Sequence, residues 1–195
     1  MTIWKTVPRG DKTPRQFNVI IEIPKDSMNK YEVDKETGML TLARVLYSAV
    51  HYPGNYGFIP QTMWYDGDPL DVLVLGTTSI HPLTIVESRP IGVLKIVDNC
   101  EEDDKIIAVP VNDPRFENMK DIKNLAGLRI REIEHFFTIY KELQGGQVQV
   151  LEIRGKKDAE AVINQSIRLF ESQGEIDPVK VKGCKVPRRK IAAKP

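Results

Sequence analysis

Residues 84–111 read TIVESRPIGVLKIVDNCEEDDKIIAVPV. Thr84–Val97 and Lys105–Val111 are apolar, β-branched runs, and only a short acidic stretch separates them. Two strands so close in sequence have no room for a crossover helix between them. The same spacing holds upstream. Phe17–Ile23 (FNVIIEI) alternates Phe17, Val19, Ile21 and Ile23 against Asn18, Ile20 and Glu22, and Pro24 ends the run. This predicts a strand with Glu22 near its end, on the face opposite the four apolar residues. Tyr31–Asp34 and Met39–Val45 flank Lys35-Glu36-Thr37-Gly38, a hairpin with Gly38 in the turn. His51–Pro60 (HYPGNYGFIP) is an irregular loop leading into a short strand, and Leu70–Leu75 is another strand. Strands recurring closely from 17 to 111 argue for a barrel or sandwich rather than a βαβ sheet.

The second half changes period. Leu125, Leu128, Glu132, Phe136, Tyr140 and Leu143 have helical spacing, and Gly145-Gly146 ends that helix. Gln147–Ile153 alternates as a strand. Asp158–Ser172 reads as a second helix, with Asp158 as N-cap and Ala161, Ile163, Ile167 and Phe170 on its apolar face. The architecture expected is α+β, a small barrel with two main helices packed outside. One domain over residues 1–178 suits the length, followed by a basic extension over 179–195.

Composition narrows the class. Hydrophobic residues make up 41% and charged residues 28%, values of a soluble globular chain rather than a disordered one. No apolar run is long enough to span a bilayer. The first fifteen residues carry five charges and no apolar core, so no signal peptide is expected and the cytoplasm is the compartment implied. Cys100 and Cys184 lie far apart without a CxxC pattern and are expected to be reduced thiols. The net charge of +1 conceals an acidic body of −6 and a tail, 179–195, of +7. That tail has no aromatics to stack on bases, so nucleic acid is not expected as a partner. An extension lying on the acidic body or on a neighbouring subunit is expected instead.

The chemistry concentrates in Asp66-Gly67-Asp68-Pro69-Leu70-Asp71. Three carboxylates fall within six residues, and Gly67 and Pro69 prevent regular structure there. Bunched carboxylates raise one another's pKa unless a cation is present, and a hard divalent ion such as magnesium suits them. An EF-hand is excluded, because positions 70, 71 and 77 hold Leu, Asp and Thr instead of Asp or Asn, Gly and Glu. Taken alone, the loop is equally readable as a solvated acidic turn. Asp98 and the run Glu101–Asp104 alone read as an exposed hairpin, and Lys30 with Glu32 as a surface ion pair.

Taken together, Glu22, Lys30, Glu32, Arg44, Tyr52, Tyr56, DGDPLDV at 66–72, Asp98, Asp103, Lys105 and Tyr140-Lys141 resemble the active-site set of the family I inorganic pyrophosphatases, in order. KYEVDKETG, YPGNYGFIP, RPIGVLKIVD and HFFTIYKEL extend the resemblance over roughly residues 15–173. It implies a five-stranded, OB-like β-barrel with extra strands and two flanking helices. It implies hydrolysis of pyrophosphate to two orthophosphates with several magnesium ions per site. By the same resemblance, Asp66, Asp71 and Asp103 hold the first magnesium and Asp71 is shared with a second. Asp98 and Asp103 hold a further ion, and Glu22 lies on the same acidic wall. Asp68 is implied as the general base; spacing by itself does not choose among the three loop acids. Lys30, Arg44, Tyr56, Tyr140 and Lys141 are implied as phosphate ligands, with Glu32, Tyr52 and Lys105 supporting. Bacterial relatives are typically hexamers, so a homohexamer is implied. The absence of a P-loop or glycine-rich fingerprint argues against a nucleotide hydrolase, and so many acids together argue against a non-catalytic scaffold.

Overall fold

The computed structural model describes residues 3–172. In chain order the elements are α1 (Ile3–Thr6), β1 (Phe17–Ile23), β2 (Asn29–Val33), β3 (Leu40–Val45), β4 (Asn55–Phe58), β5 (Asp71–Val74), β6 (Ile85–Asp98), β7 (Glu101–Glu102), β8 (Lys105–Pro110), α2 (Gly127–Ile139), β9 (Val148–Gly155) and α3 (Lys156–Ser172). Seven strands form one mixed sheet in the order β1-β4-β5-β8-β6-β7, with β9 also paired to β6. The β5–β8 ladder is parallel and the others are antiparallel. β6 additionally pairs back with β1. β2 and β3 make a separate two-stranded ladder.

Helices cover two sides of the main sheet, which explains why its strands read as nearly continuous apolar runs. Leu73 and Ile107 pack with Ile133, Phe136 and Phe137 of α2. Their neighbours Val72 and Ile106 pack with Ala159 and Ile163 of α3. A third cluster joins Trp4 of α1 to Ile20 and Phe58. Each large side chain so buried contributes roughly 1.5–3 kcal/mol of hydrophobic stabilisation.

Several expectations are corrected. The Met1–Arg15 stretch, read only as charged, contains the short helix α1, whose Trp4 is buried. On α2 the buried stripe is Ile133, Phe136 and Phe137, continued by the C-cap Tyr140. Leu128 and Leu143 are exposed. The helix stops at Ile139, and a 3₁₀ turn over Glu142–Gln144, closed by Gly145 at φ +79°, carries Leu143 off the stripe. α3 begins at Lys156 directly after β9, with Asp158 inside its first turn rather than at its cap. Asp121 from a distant turn accepts the Lys156 N–H at 2.9 Å, which removes the need for a local cap. Ala159, not Ala161, faces the sheet. In the acidic run, Asp104 is buried and pairs with Lys95, so the run is not a freely exposed hairpin. Asn99 and Cys100 both have left-handed φ at the β6–β7 turn. Cys184 and the basic tail lie outside the described residues.

Candidate active site

The ends of the elements converge on a cavity of about 220 Å³. β1 delivers Glu22, β2 Lys30 and Glu32, β4 Tyr56, β5 Asp71, β6 Asp98 and β8 Lys105. Asp66 and Asp68 enter from the loop before β5, Asp103 from the segment before β8, and Tyr52 from the loop before β4. Tyr140 and Lys141 enter where α2 ends. Thirteen of the fourteen residues singled out by the sequence therefore line one space. Arg44 is the exception. It is the cross-strand partner of Lys30, and its guanidinium sits 5.9 Å from the centre of the Tyr140 ring.

Ladder geometry builds the centre. Asp71 and Lys105 are register partners in the parallel β5–β8 pair, so their side chains emerge together. The Lys105 ammonium bonds both Asp71 and Asp103. The Tyr56 hydroxyl donates to Asp71 at 2.6 Å. Lys141 pairs with Asp98, Lys30 with Glu32, and Lys35 with Asp68. Among the described residues, no three His, Cys, Asp or Glu side chains gather as a ready ligating group. The implied ligands Asp66, Asp71 and Asp103 thus share the cavity but are held apart, with lysine between the last two. The acid loop is itself a tight turn. Trp64 N–H donates to Asp68 O at 2.7 Å, Gly67 N–H to Trp64 O at 3.0 Å, and Asp68 N–H to the Asp66 carboxylate at 3.0 Å. Gly67, at φ +81°, makes that turn possible.

The lining carries seven carboxylates against four lysines, a formal charge of −3 if all are ionised. The imbalance is visible in single groups. Burial pushes the Glu22 carboxyl up to about 8, against the lowering effect of the Val33 N–H that it accepts at 2.7 Å. Asp66 is exposed as a residue, yet its carboxyl faces the crowded cavity; lost hydration pushes it up to about 7, and Asp71 adds repulsion. Burial opposes the charge on Lys105, but Asp103 and Asp71 outweigh it and hold the ammonium well above its usual range. Burial lowers Lys141 in spite of Asp98. Burial also raises Tyr56 and Tyr140, so both hydroxyls stay protonated donors. They stand on an aromatic floor, with Tyr52 4.8 Å from Phe136 and Phe136 stacked 5.2 Å from Tyr140.

Glu22 yields a stability prediction for the metal-free protein. Its folded-state pKa, about 8, lies above the ordinary 4.5, so the folded state binds the extra proton between those values. Stability contributed by the protonated form is therefore present below about 4.5 and is lost as pH rises through 8. Glu22→Gln, denatured in EDTA, should match wild type near pH 4.5 and exceed it by roughly 2 kcal/mol above pH 8, less than the full shift because water reaches the cavity. Parallel curves across that window would disprove the assignment.

Sequence reading missed three lining residues of consequence: Trp4, Lys35 and Phe137. The DKETG turn was a signal for Lys35, since it follows Glu32 on the same hairpin. Nothing local announced Trp4.

Paired acids and lysines at one end of a mixed sheet, beside unpartnered guanidinium N–H groups, make a site of the class that handles phosphate groups. The inorganic pyrophosphatase family model matches residues 19–171. The chain is 41% identical over 168 residues to "Soluble inorganic pyrophosphatase 2" of Chlamydomonas reinhardtii, covering 86% of this chain and 88% of that one. It is 40% identical over 172 residues to the inorganic pyrophosphatase of Haloferax volcanii, covering 88% and 97%. The crystal structure of inorganic pyrophosphatase from Thermus thermophilus superposes with a TM-score of 0.84 at 41% identity, covering 86% of this chain and 98% of that chain. The chain belongs to the inorganic pyrophosphatase family.

Proposed function

We propose that this protein hydrolyses pyrophosphate to two orthophosphates with magnesium as its cofactor. The observation that carries the reading is the pairing of a carboxylate-rich cavity with orphaned cationic donors. Arg44 Nε and Nη2 are buried without a hydrogen-bond partner among the described residues, and an anion would supply one. Seven carboxylates with a raised Glu22 and a raised Asp66 equally want cations. Oxygen donors of this kind suit magnesium. Asp66, Asp71, Asp98, Asp103 and Glu22 are the residues that would hold it. Lys105 already places one positive charge between Asp71 and Asp103. When bound, magnesium supplies neutralisation of phosphate charge and acidification of water.

The remaining roles belong to the chain. Asp68, at the mouth, takes the proton from the attacking water as general base. Lys30, Arg44 and Lys141 bind phosphate oxygens by charge, and Tyr56 and Tyr140 donate neutral hydrogen bonds. Glu32 orients Lys30, Lys105 fixes Asp71 and Asp103, and Tyr52 supports the floor.

We also read the ring of pairings from β1 through β4, β5, β8 and β6 back to β1 as the five-stranded OB-like barrel, and residues 1–178 as one domain with 179–195 as an extension. Assembly into a homohexamer is supported by the exposed Leu42 and Val45 of β3, with Met39 and Tyr47 exposed on either side of it. No helix among the described residues is long and apolar enough to cross a membrane. A cytoplasmic location is supported by the likeness to soluble inorganic pyrophosphatases.

The test is phosphate release from pyrophosphate by purified protein, with magnesium and with EDTA, beside ATP and tripolyphosphate. Fast, magnesium-dependent release from pyrophosphate is expected. No release from folded protein with any divalent metal would refute the reading.

A further inference from the structure

We propose that Lys35 is an additional substrate-binding residue, a cation that holds Asp68 in the resting cavity and transfers to a phosphate oxygen when pyrophosphate binds. The proposal rests on the pyrophosphatase reading above.

Lys35 lies in the turn between β2 and β3, 33 residues from Asp68, and pairs with its carboxylate across the cavity mouth. The turn that presents it is fixed. Asp34 Oδ1 accepts from Thr37 N–H at 2.7 Å and from its hydroxyl at 2.5 Å. Gly38 N–H donates back to Asp34 O at 2.8 Å. A Cβ on Gly38 would meet Ile3 Cδ1 at 3.3 Å, so the turn rests against α1. Lys35 is thus presented over the site by a hydrogen-bonded turn that rests against α1.

Every lysine lining the cavity has a carboxylate partner, but their burial differs. The Lys105 side chain is 3% exposed and Lys141 16%, whereas Lys35 is 50% exposed and its partner Asp68 57%. A pair as wet as that is worth little and breaks cheaply. An arriving phosphate with full negative charge on several oxygens is a better acceptor than one carboxylate. If Asp68 serves as the base, its carboxylate must turn to water, and Lys35 is then left beside the incoming anion. Of the four lysines, Lys35 changes partner at the smallest cost.

The test compares Lys35→Met and Lys35→Arg with wild type in pyrophosphate hydrolysis. Calorimetry of inorganic phosphate binding, with magnesium present, gives a second readout. Lys35→Met should raise KM about tenfold and weaken phosphate binding by a similar factor, the usual size for a charge-assisted contact at a partly exposed site. Its kcat should change less than its KM. Lys35→Arg should stay within about threefold of wild type on both counts. A mere clip between hairpin and loop would instead lower the melting temperature of Lys35→Met and leave KM and phosphate affinity untouched, and that result would overturn the proposal. If wild type fails to release phosphate, the pyrophosphatase reading falls, while the calorimetric comparison still decides whether Lys35 binds phosphate.

Discussion

Asp68→Asn should lower kcat by about 10²–10⁴-fold, the usual contribution of a general base, while magnesium binding and stability change little. The separation follows from how the residue is held. Its main chain fixes the turn, through Asp68 O to Trp64 N–H and Asp68 N–H to Asp66. Its side chain is 57% exposed and is ion-paired with Lys35. Asparagine has the same shape and keeps the main-chain bonds, but it cannot accept a proton at neutral pH. Phosphate release gives kcat, a calorimetric magnesium titration gives affinity, and thermal denaturation checks the fold. Wild-type turnover in Asp68→Asn would move the base to another carboxylate of the loop.

Lys105→Met should cost about 3–5 kcal/mol of stability in EDTA, the range for removing one partner of a buried ionic group. The Lys105 side chain is 3% exposed and lies against both Asp71 and Asp103. Without the ammonium those two carboxylates face each other at the ends of adjoining segments with nothing between them. Magnesium should restore part of the loss, because a ligand that binds only the folded state stabilises it by mass action. Denaturant unfolding with and without magnesium measures both quantities. A loss below about 1 kcal/mol in EDTA would mean that water, not lysine, compensates these acids.

The parts of the fold carried by local pattern were legible in the sequence. Phe17–Ile23 is a strand over the residues expected, because alternation and Pro24 bound it on the chain itself. The β2–β3 hairpin and its Gly38 turn were legible for the same reason. Helix limits were less so. α3 starts two residues before Asp158 because Asp121, far away in sequence, takes the Lys156 N–H. The burial of Asp104 depends on Lys95 across a strand pair. Spacing showed the site acids only as clusters; it took the resemblance to join them, and the ladder to explain why Asp71 and Lys105 stand side by side. Trp4 escaped because nothing on its own segment marks it, and Lys35 because the DKETG turn shows a hairpin but not what lies across from it. Their importance lies in what the fold sets opposite them.

β6 is fourteen residues long and is hydrogen-bonded along its length to β1, β8, β9 and β7 in turn. Its central amides, from Val93 to Val97, should therefore be among the last in the molecule to exchange with deuterium, releasing their protons only in global opening. The β2–β3 ladder stands outside that sheet, with each strand paired only to the other. Its amides should exchange through smaller, faster openings. Asp71, Asp98 and Lys105 are carried by the slow body, and Lys30, Arg44 and Lys35 by the fast hairpin or its turn. The cavity thus has one still wall, bearing Glu22, Asp71 and Asp98, and one breathing wall that brings cations to the substrate.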